Sequence, residues 1–397
     1  MRIRRCAILL IEPREKLSFD MDSLCSGGDG LDAQIELFAL APHLDDAEVP
    51  VDPAEVTVLN ALVAAPWQEF DELAKRHAVE LLQGLLAKGL LIGDDEAHAE
   101  VRARDEALRE ANWHAHSAVS HYLGRWRGIT SGEDLAKSGV YTMSELFARL
   151  GAPPPHVLER VPAHERIALP RSEATPFDDI LVRRATCRNF DAANILDKST
   201  FAQIMHRVFG AQAAHEIHAD NVVIKRTSPS GGGLHPTEAY VVAQRVEGVA
   251  PGLYHYHCID HALEPLPPPA GGDLRAFVRM MVTAQKYFLD APVFVVMATR
   301  FPRTFWKYRN HSKAYRATIF DAGHLSQTLY LSATEFGLGA FITAAINEVD
   351  IEQALGLDPL KESPLAVCGF GARATECATF EFDPNRVVWP DGVPNPE

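Results

Sequence analysis

The spacing of apolar residues changes character along the chain. In the first 50 residues, apolar runs at 6–11 and 34–41 flank a glycine-rich turn at 26–30, which predicts strands joined by turns. From residue 55 to residue 92 the apolar positions recur at helical spacing in three blocks, and Gly89 follows the third block as a C′ residue. A strand begins directly afterwards. Three short helices followed by a strand are typical of a small winged-helix unit.

The third of these helices carries few charges. Between residues 78 and 88 only Glu80 and Lys88 are charged, whereas a helix that reads DNA needs a basic surface. Leu82, Leu85 and Leu86 give it an apolar face instead. This face and the neighbouring edge strand predict a groove in which an extended peptide adds a strand. Packing of the face in a core is the alternative, and the region would then only support a dimer.

Residues 94–124 are polar and rich in alanine, which predicts one helix with His114, His116 and His121 toward its end. A metal site is conceivable there, but residues two apart point to different helix faces, so partly buried histidines are the favoured interpretation. Repeated prolines between residues 151 and 176 predict an extended connection. These changes divide the chain into segments 1–95, 96–175 and 176–397.

Composition and charge narrow the function classes. The 397 residues include 38 Lys and Arg against 53 Asp and Glu, and the net charge of −15 opposes binding to nucleic acid and to anionic membrane surfaces. No window reaches the roughly 18 unbroken apolar residues of a membrane span. Glu12, Pro13 and Arg14 interrupt the first apolar run, which is interpreted as a strand and not as a signal peptide. The six cysteines form no CxxC pair, so free thiols and a cytoplasmic location are expected.

Two stretches carry candidate chemistry. Residues 226–240 read RTSPSGGGLHPTEAY, and three successive glycines let a backbone lie flat against a planar or anionic ligand, although such clusters also form ordinary turns. Arg183, Arg184 and Arg188 converge with Thr186 at the end of a predicted helix. Forked guanidinium donors beside a hydroxyl suit a phosphate, and a solvated basic patch is the alternative.

These stretches resemble the motifs of FMN-dependent nitroreductase-fold proteins. R-x-[ST]-x-R-x-F, filled by Arg184, Thr186, Arg188 and Phe190, is similar to the family's flavin-phosphate motif. SPSGGGLHP resembles the P-S-G-G-x-x-Y-P stretch of the branch containing SagB-type dehydrogenases and thiazole and oxazole oxidases, with His235 replacing the tyrosine. The resemblance covers residues 176–375 and implies FMN as cofactor. The residues that it implies for FMN binding are Arg183, Arg184, Thr186, Arg188, Pro229, Ser230, Gly231, Gly232, Gly339, Ala340, Gly369, Gly371 and Arg373.

A third stretch, WKYR at 306–309, supplies candidate acid–base residues. The peptide azoline dehydrogenases of this family are expected to carry a Lys-Tyr pair at this place, which implies Lys307 and Tyr308 as the catalytic couple. A lysine desolvated against an aromatic ring gives up its proton more readily and can then serve as a base. The alternative is a surface dipeptide whose lysine extends its charge into solvent.

Helical spacing between residues 319 and 336 predicts a long helix that resembles the family's core and dimer helix. The resemblance therefore implies an α+β nitroreductase-like fold that binds FMN at the interface of a homodimer, with an N-terminal region similar to winged-helix domains that hold a leader peptide. It implies an oxidoreductase that oxidises a ribosomally made, modified precursor peptide, passes hydride to the flavin and is reoxidised by oxygen. The resemblance allows a cyclodehydratase or another peptide-modifying enzyme as a partner, and the sequence leaves open whether one is required. An NAD(P)H-dependent nitro- or quinone reductase and a non-catalytic flavin-binding scaffold are the alternatives.

Overall fold

Helices and antiparallel strands are interspersed along the whole chain. The computed structural model describes residues 1–138, 143–219 and 221–393. The strands in chain order are β1 Arg2–Arg5, β2 Leu10–Phe19, β3 Leu31–Leu40, β4 Glu48–Val51, β5 Gln68–Glu69, β6 Leu91–Gly93, β7 Ala213–His218, β8 Asn221–Lys225, β9 Thr237–Ala243, β10 Gly252–His257, β11 Ala262–Pro265, β12 Val293–Arg300, β13 Gly339–Thr343 and β14 Glu362–Gly371. The helices are α1 Met21–Cys25, α2 Pro53–Ala61, α3 Phe70–Ala74, α4 Val79–Ala87, α5 Ala99–Glu110, α6 Ala115–Leu123, α7 Ser131–Lys137, α8 Met143–Leu150, α9 Pro176–Arg183, α10 Lys198–Phe209, α11 Leu274–Met281, α12 Phe301–Phe305, α13 Ala314–Glu335 and α14 Glu348–Leu355.

The chain forms two compact units. The first comprises residues 1–125, 301–316 and 359–361, and the second comprises residues 126–300, 317–358 and the described residues from 362 onward. The segment boundaries near residues 95 and 175 were inferred from composition and stay predictions. What composition did not indicate is that residues 301–316, which carry the WKYR stretch, belong to the first unit.

The second unit is built on a six-stranded antiparallel sheet in the order β11-β10-β9-β12-β14-β13. Side chains alternate across it: Val293 and Val295 pack on one face with α10 and α13, and Phe294 and Val296 pack on the other with α11 and α14. Because helices cover both faces, β12 is apolar at almost every position, as its sequence predicted. The antiparallel sheet between helices confirms the α+β class.

The first unit packs α2, α3 and α4 around a separate apolar core, so the three helices predicted between residues 55 and 92 are present. The predicted groove on α4 is wrong. Leu82, Leu85 and Leu86 are 0%, 0% and 6% exposed and form part of that core. Apolar spacing on a short helix indicates a buried face, but it does not distinguish a ligand groove from a core. A small sheet in the order β5-β1-β6 accompanies the helices, and the winged-helix detail stays a prediction.

The single helix predicted for residues 94–124 is also wrong, because two helices, α5 and α6, occupy this stretch. Asn112 between them has a φ of 56°, a left-handed conformation that ends the helical path and that asparagine tolerates better than most residues. The next residue, Trp113, is buried. The break therefore turns the chain so that an indole ring enters the interior.

The proline-rich connection has the extended form that was predicted. Residues 151–175 are exposed at every position and contain only a short 3₁₀ turn at Ala163–Glu165. Within the described part of the chain, no helix is both long enough and apolar enough to cross a bilayer.

Candidate functional site

The arginine motif lies in an extended strip of chain directly after α9. A capping box between Thr175 and Asp178 starts α9, and the helix ends at Arg183. Beyond it Thr186 forms a parallel bridge with Ala340 of β13, so the strip runs beside the sheet. The structure therefore places the predicted phosphate residues along one edge of the second unit.

Side chains alternate along this strip as they do in a strand. Ala185, Cys187 and Asn189 are buried. Arg184, Thr186 and Arg188, the positions between them, are half-buried and point the other way. The residues named by the R-x-T-x-R pattern thus share one face, which we call the arginine strip. Arg183 is not part of it, because it is exposed on α9 and donates from Nε to the Asp179 carbonyl over 3.4 Å.

Tyr330 of α13 contacts two residues of the arginine strip. The Thr186 hydroxyl lies 3.1 Å from the Tyr330 hydroxyl, which also accepts a 3.2 Å hydrogen bond from the Ile342 amide. The Arg184 guanidinium lies over the Tyr330 ring, 5.4 Å from its centre. Burial raises the pKa of Tyr330, so this hydroxyl stays neutral and can donate.

The guanidinium groups of the strip have no counter-ion in the described residues. No carboxylate of these residues forms an ion pair with Arg183, Arg184 or Arg188. Arg188 instead has the Tyr287 ring as a neighbour, 5.8 Å from its guanidinium carbon. An arginine pair held in place but left without carboxylates is suited to binding an anion.

The glycine loop is anchored to α13 at a different point. Asp321 accepts from the Ser230 hydroxyl over 2.6 Å and from the Gly231 amide over 3.0 Å. The Ser228 hydroxyl lies 2.6 Å from that of Thr328. Burial raises the pKa of Asp321, and the two hydrogen bonds oppose this effect. Both serine hydroxyls are therefore used within the chain, and what the loop offers a ligand is mainly its backbone.

Two glycines of the loop are required by its conformation. Gly232 and Gly233 have φ values of 69° and 70°, the left-handed region that residues with a Cβ rarely adopt. A Cβ at Gly231 would lie 3.1 Å from the Cβ of Ala317 on α13, so the backbone approaches the helix closely. Only small residues permit this path.

The glycine loop begins at a buried arginine that the sequence did not indicate as a functional residue. Arg226 is 2% exposed, its Nη1 donates to the Thr237 carbonyl over 2.8 Å, and its Nε has no partner in the described residues. A buried guanidinium with an unsatisfied nitrogen is costly. Its position at the first residue of the loop was visible in the sequence, but its burial was not.

The predicted residues of β13 and β14 are tightly packed. A Cβ at Gly339 would lie 2.5 Å from the Cys187 sulfur, a Cβ at Gly369 would overlap the Phe341 ring, and a Cβ at Gly371 would overlap Pro292. These glycines thus allow chain segments to meet. Arg373 pairs with Glu381 at 2.5 Å and donates to the Ala185 carbonyl over 2.9 Å, so its guanidinium is engaged.

The two halves of the predicted flavin site contact opposite sides of α13. The loop is anchored at Asp321 and the arginine strip at Tyr330, and nine residues make about 2.5 turns of an α-helix. Exposed apolar side chains, Ile319 and Phe320, lie on this helix at 48% and 59% exposure. One chain therefore positions both halves but does not direct them toward each other.

Lys307 and Tyr308 follow α12 in the first unit. The Lys307 ammonium is 5.4 Å from the centre of the Tyr308 ring. Lys307 is exposed and Tyr308 is half-buried. In the described chain no carboxylate pairs with this lysine. The desolvation expected of a basic lysine is not present, because Lys307 is exposed. The catalytic role of the pair therefore stays a prediction, with the surface dipeptide as the alternative.

An aromatic cluster fixes the segment that carries this pair. Trp113 packs against Phe301 and Phe305 of α12 with ring centres 4.6 Å apart in each case.

His121 stacks on Trp113 with the ring centres 5.4 Å apart. Its Nδ1 lies 3.2 Å from the Tyr315 hydroxyl, and its Nε2 lies 2.9 Å from the Pro359 carbonyl. Burial lowers the pKa of His121 to about 3, so the ring is neutral and Nε2–H donates to the carbonyl. His121 is a buried core histidine with a hydrogen-bond partner at each ring nitrogen.

A charged network lies where β9, β10 and β12 meet. Glu238, the second residue of β9, is 2.7 Å from Arg300 and 3.5 Å from His255. The hydrogen bond with Glu238 raises the pKa of His255 to about 9, and burial opposes this shift. Burial alone would raise the pKa of Glu238, but the partners His255 and Arg300 outweigh it and lower the pKa.

This network predicts a loss of stability in mild alkali. Because folding raises the pKa of His255 from 6.5 to about 9, its contribution is complete below pH 6.5 and disappears as the pH rises through 9. The second partner of His255, Glu264, is 55% exposed, and solvent screening reduces the expected loss to on the order of 1 kcal/mol. Urea unfolding at pH 6.5 and pH 9 should show a smaller difference for His255→Gln than for the parent. Equal differences would show that the network does not stabilise the fold.

The residues that contain the six-stranded sheet match a known protein family. Residues 181–372 match the model of the Nitroreductase family. A nitroreductase-like protein of Methanocaldococcus jannaschii is 27% identical over 207 residues, which cover 52% of this chain and 96% of that protein.

Two further relatives are named for peptide processing. The trifolitoxin-processing protein TfxB of Rhizobium leguminosarum bv. trifolii is 31% identical over 152 residues, covering 38% of this chain and 40% of the relative. The microcin B17-processing protein McbC of Escherichia coli is 27% identical over 188 residues, covering 46% of this chain and 65% of the relative. The matches thus span less than two thirds of both peptide-processing proteins. Residues 181–372 of this chain form a domain of the nitroreductase family, with peptide-processing proteins among its relatives.

Proposed function

We propose that the protein is an FMN-dependent dehydrogenase that oxidises a ribosomally made, modified peptide, converting an azoline to an azole or introducing a related double bond. The observation that carries the cofactor assignment is the arginine strip. Arg184 and Arg188 are held by the fold, flank the Thr186 hydroxyl and have no carboxylate partner among the described residues. The peptide assignment is supported by the names of the two peptide-processing relatives.

The residues present fit FMN. The arginine strip would take the terminal phosphate, because two guanidinium groups and a hydroxyl supply charge and directed donors on one face. The loop from Pro229 to Gly232 would lie along the ring system, since its glycines leave the backbone open. Gly339, Ala340, Gly369 and Gly371 would shape the neighbouring wall by close packing. Roles for Arg183 and Arg373 remain predictions, the former because it is outside the strip and the latter because Glu381 engages it.

A second copy of the chain would complete this site. In one chain the loop and the arginine strip contact opposite sides of α13, as their anchors at Asp321 and Tyr330 require. A homodimer that buries Ile319 and Phe320 would bring the strip of one copy toward the loop of the other. Exposed apolar side chains on a helix are a ready surface for such an interface.

FMN, when bound, supplies a hydride acceptor that can pass its electrons to oxygen. The chain's own contribution would be proton removal from the peptide by Lys307 or Tyr308. The Lys307 amino group lies beside the Tyr308 ring, so the amine could act as the base and the phenol could pass the proton on. Lys307 is exposed, so the desolvation that favours its neutral form would have to come from the bound peptide or from a second copy of the chain.

The first unit would hold the peptide or support the dimer. The α4 face is core, so a leader peptide needs another surface. On the side facing β4, β3 pairs only at Leu37–Leu40, so no strand among the described residues pairs with residues 31–36 along that edge. A cavity of about 510 Å³ lined by Ile35, Phe38 and Pro50 lies beside it. An extended leader would add a strand at this edge. A cyclodehydratase or another peptide-modifying enzyme would supply the modified peptide.

The experiment that tests the function uses full-length protein loaded with FMN and its precursor peptide carrying azoline rings. The expected product has lost the mass of two hydrogen atoms, with oxygen consumed in step. A parallel reaction offers NADH or NADPH with a quinone or nitroarene. Rapid turnover there with no change in the peptide would favour the reductase alternative, and no turnover in either reaction would favour the scaffold.

Replacement of Arg188 by Ala should weaken FMN binding by about 1.5 to 3 kcal/mol, because a charge-assisted contact to the phosphate is lost. This is about a tenfold to hundredfold change in the dissociation constant, measured by flavin fluorescence on the apo-protein. Arg171→Ala, an exposed arginine of the connector, serves as the control and should bind as the parent does. Equal affinities of the two variants would remove Arg188 from the site.

A further inference from the structure

The chain after β14 returns to the buried side of the arginine strip. Its central residue, Glu381, is 0% exposed. Oε1 of Glu381 accepts from the Arg188 amide at 2.5 Å, the Asn189 amide at 3.0 Å and the Asn189 side chain at 2.9 Å. Oε2 accepts from Arg373 at 2.5 Å and from the Trp389 indole at 2.9 Å. Five donors thus converge on one buried carboxylate.

Neighbouring contacts bind the same two segments together. Asn189 donates to the Thr379 carbonyl and accepts from the Thr379 amide, both at 2.7 Å. Arg373 donates to the Ala185 carbonyl at 2.9 Å. The backbone of the strip is therefore held at residues 185, 188 and 189. Because side chains alternate along an extended chain, this fixes the directions of Arg184, Thr186 and Arg188 on the opposite side.

The charge on Glu381 is also confined to the buried side. A carboxylate behind an anion site would ordinarily weaken that site by repulsion. Here the ion pair with Arg373 compensates it, and the Arg184 and Arg188 guanidinium groups keep their charge for a ligand. The match to the nitroreductase family ends at residue 372. Glu381 and Trp389, which support the strip, thus lie outside the residues that match the family.

We propose that Glu381 is a positioning residue for the phosphate of the cofactor. It acts through the backbone of Arg188 and Asn189 and does not touch the ligand. The proposal rests on the proposed function, in which the arginine strip binds the FMN phosphate. Residues that orient the groups contacting a ligand typically change affinity by about tenfold to a hundredfold when they are replaced.

Glu381→Gln tests this with little change in volume. Every direction around the carboxylate is occupied by an N–H donor, so the amide nitrogen of glutamine must face one of them and the network is broken. Apo-protein is titrated with FMN and with riboflavin, which lacks the phosphate. The expected result is a tenfold to hundredfold loss of FMN affinity with riboflavin affinity unchanged within about twofold. A residue needed only for stability would weaken both flavins together.

Two further variants make the result decisive. Glu376→Gln removes the same charge from an exposed position of the same tail and should bind both flavins as the parent does. Trp389→Phe removes a single donor to Glu381. It should lower the ratio of FMN to riboflavin affinity by a smaller factor than Glu381→Gln does. If Glu381→Gln does not fold, this variant tests the positioning role of Glu381. An unchanged ratio of FMN to riboflavin affinity in the folded variant overturns the positioning role while leaving the cofactor assignment in place. A parent protein without any preference for FMN overturns the cofactor assignment and the positioning role together.

Discussion

Replacement of Lys307 by Ala is expected to slow reduction of the bound flavin by peptide about a hundredfold to ten-thousandfold, because proton transfer by a positioned group contributes that much. Tyr308→Phe should show a loss in the same range if the phenol takes part. Neither change alters the arginine strip or the glycine loop, which belong to the second unit. FMN affinity should therefore stay at the parent value. The measurement is single-turnover reduction of flavin absorbance under anaerobic conditions.

The control for this prediction is Lys313→Ala. Lys313 is another exposed lysine of the segment 301–316, so the two variants lose the same charge from the same part of the first unit. The Lys313 variant should reduce its flavin at the parent rate. If the Lys307 and Tyr308 variants also do so, the pair is the surface dipeptide that the sequence left as the alternative, and a base must be sought among other groups.

The pH dependence of the same step distinguishes chemistry from binding. A general base must lose its proton before it reacts, so the reduction rate of the parent should rise with pH through one ionisation. The rise should be absent from the residual rate of Lys307→Ala. A parallel fall of rate at all pH values would indicate instead that the peptide is held less well.

Local patterns predicted most of the regular elements. The uniform apolar run of β12 and the helical spacing of α13 each reflect burial against covering layers, and both elements appear where they were expected. The wrong predictions concern features that tertiary contacts determine. The apolar side of α4 was interpreted as a groove, but it is covered by the core of its own unit. The break at Asn112 lies next to the buried Trp113, and helix propensity does not register such burial.

In the candidate site, too, the local pattern was predictable and the long-range contacts were not. The alternation of Arg184, Thr186 and Arg188 was visible in the sequence because these polar residues alternate with Ala185 and Cys187. Their supports were not visible. Tyr330 is 144 residues from Thr186, and Glu381 is 192 residues from Asn189. A single tyrosine or glutamate at such distances carries no local pattern, because its role arises only when the strands and α13 bring the segments together.

The last prediction concerns the aromatic cluster that holds the candidate catalytic segment. Trp113 is 3% exposed and contacts Phe301, Phe305 and His121, and its indole donates to the Leu360 carbonyl over 2.8 Å. Trp113→Ala removes the ring from a closed core, so we expect a loss of about 3 to 5 kcal/mol in the free energy of unfolding. Trp306→Ala is the control, because it truncates a 63% exposed ring in the segment that Trp113 contacts. It should change the free energy of unfolding by less than about 0.5 kcal/mol. Urea unfolding followed by circular dichroism measures both.

Trp113→Phe separates the two contributions of the ring. It keeps an aromatic side chain between Phe301 and Phe305 but loses the hydrogen bond to Leu360, so an intermediate loss is expected. Because α12 leads directly to Lys307, the order of stabilities should match the order of turnover rates in the three variants. A stable Trp113→Ala protein would show that the cluster does not hold this segment. A destabilised variant with parent turnover would show that the segment can move without affecting the chemistry, and would argue against Lys307 and Tyr308 as a positioned acid–base pair.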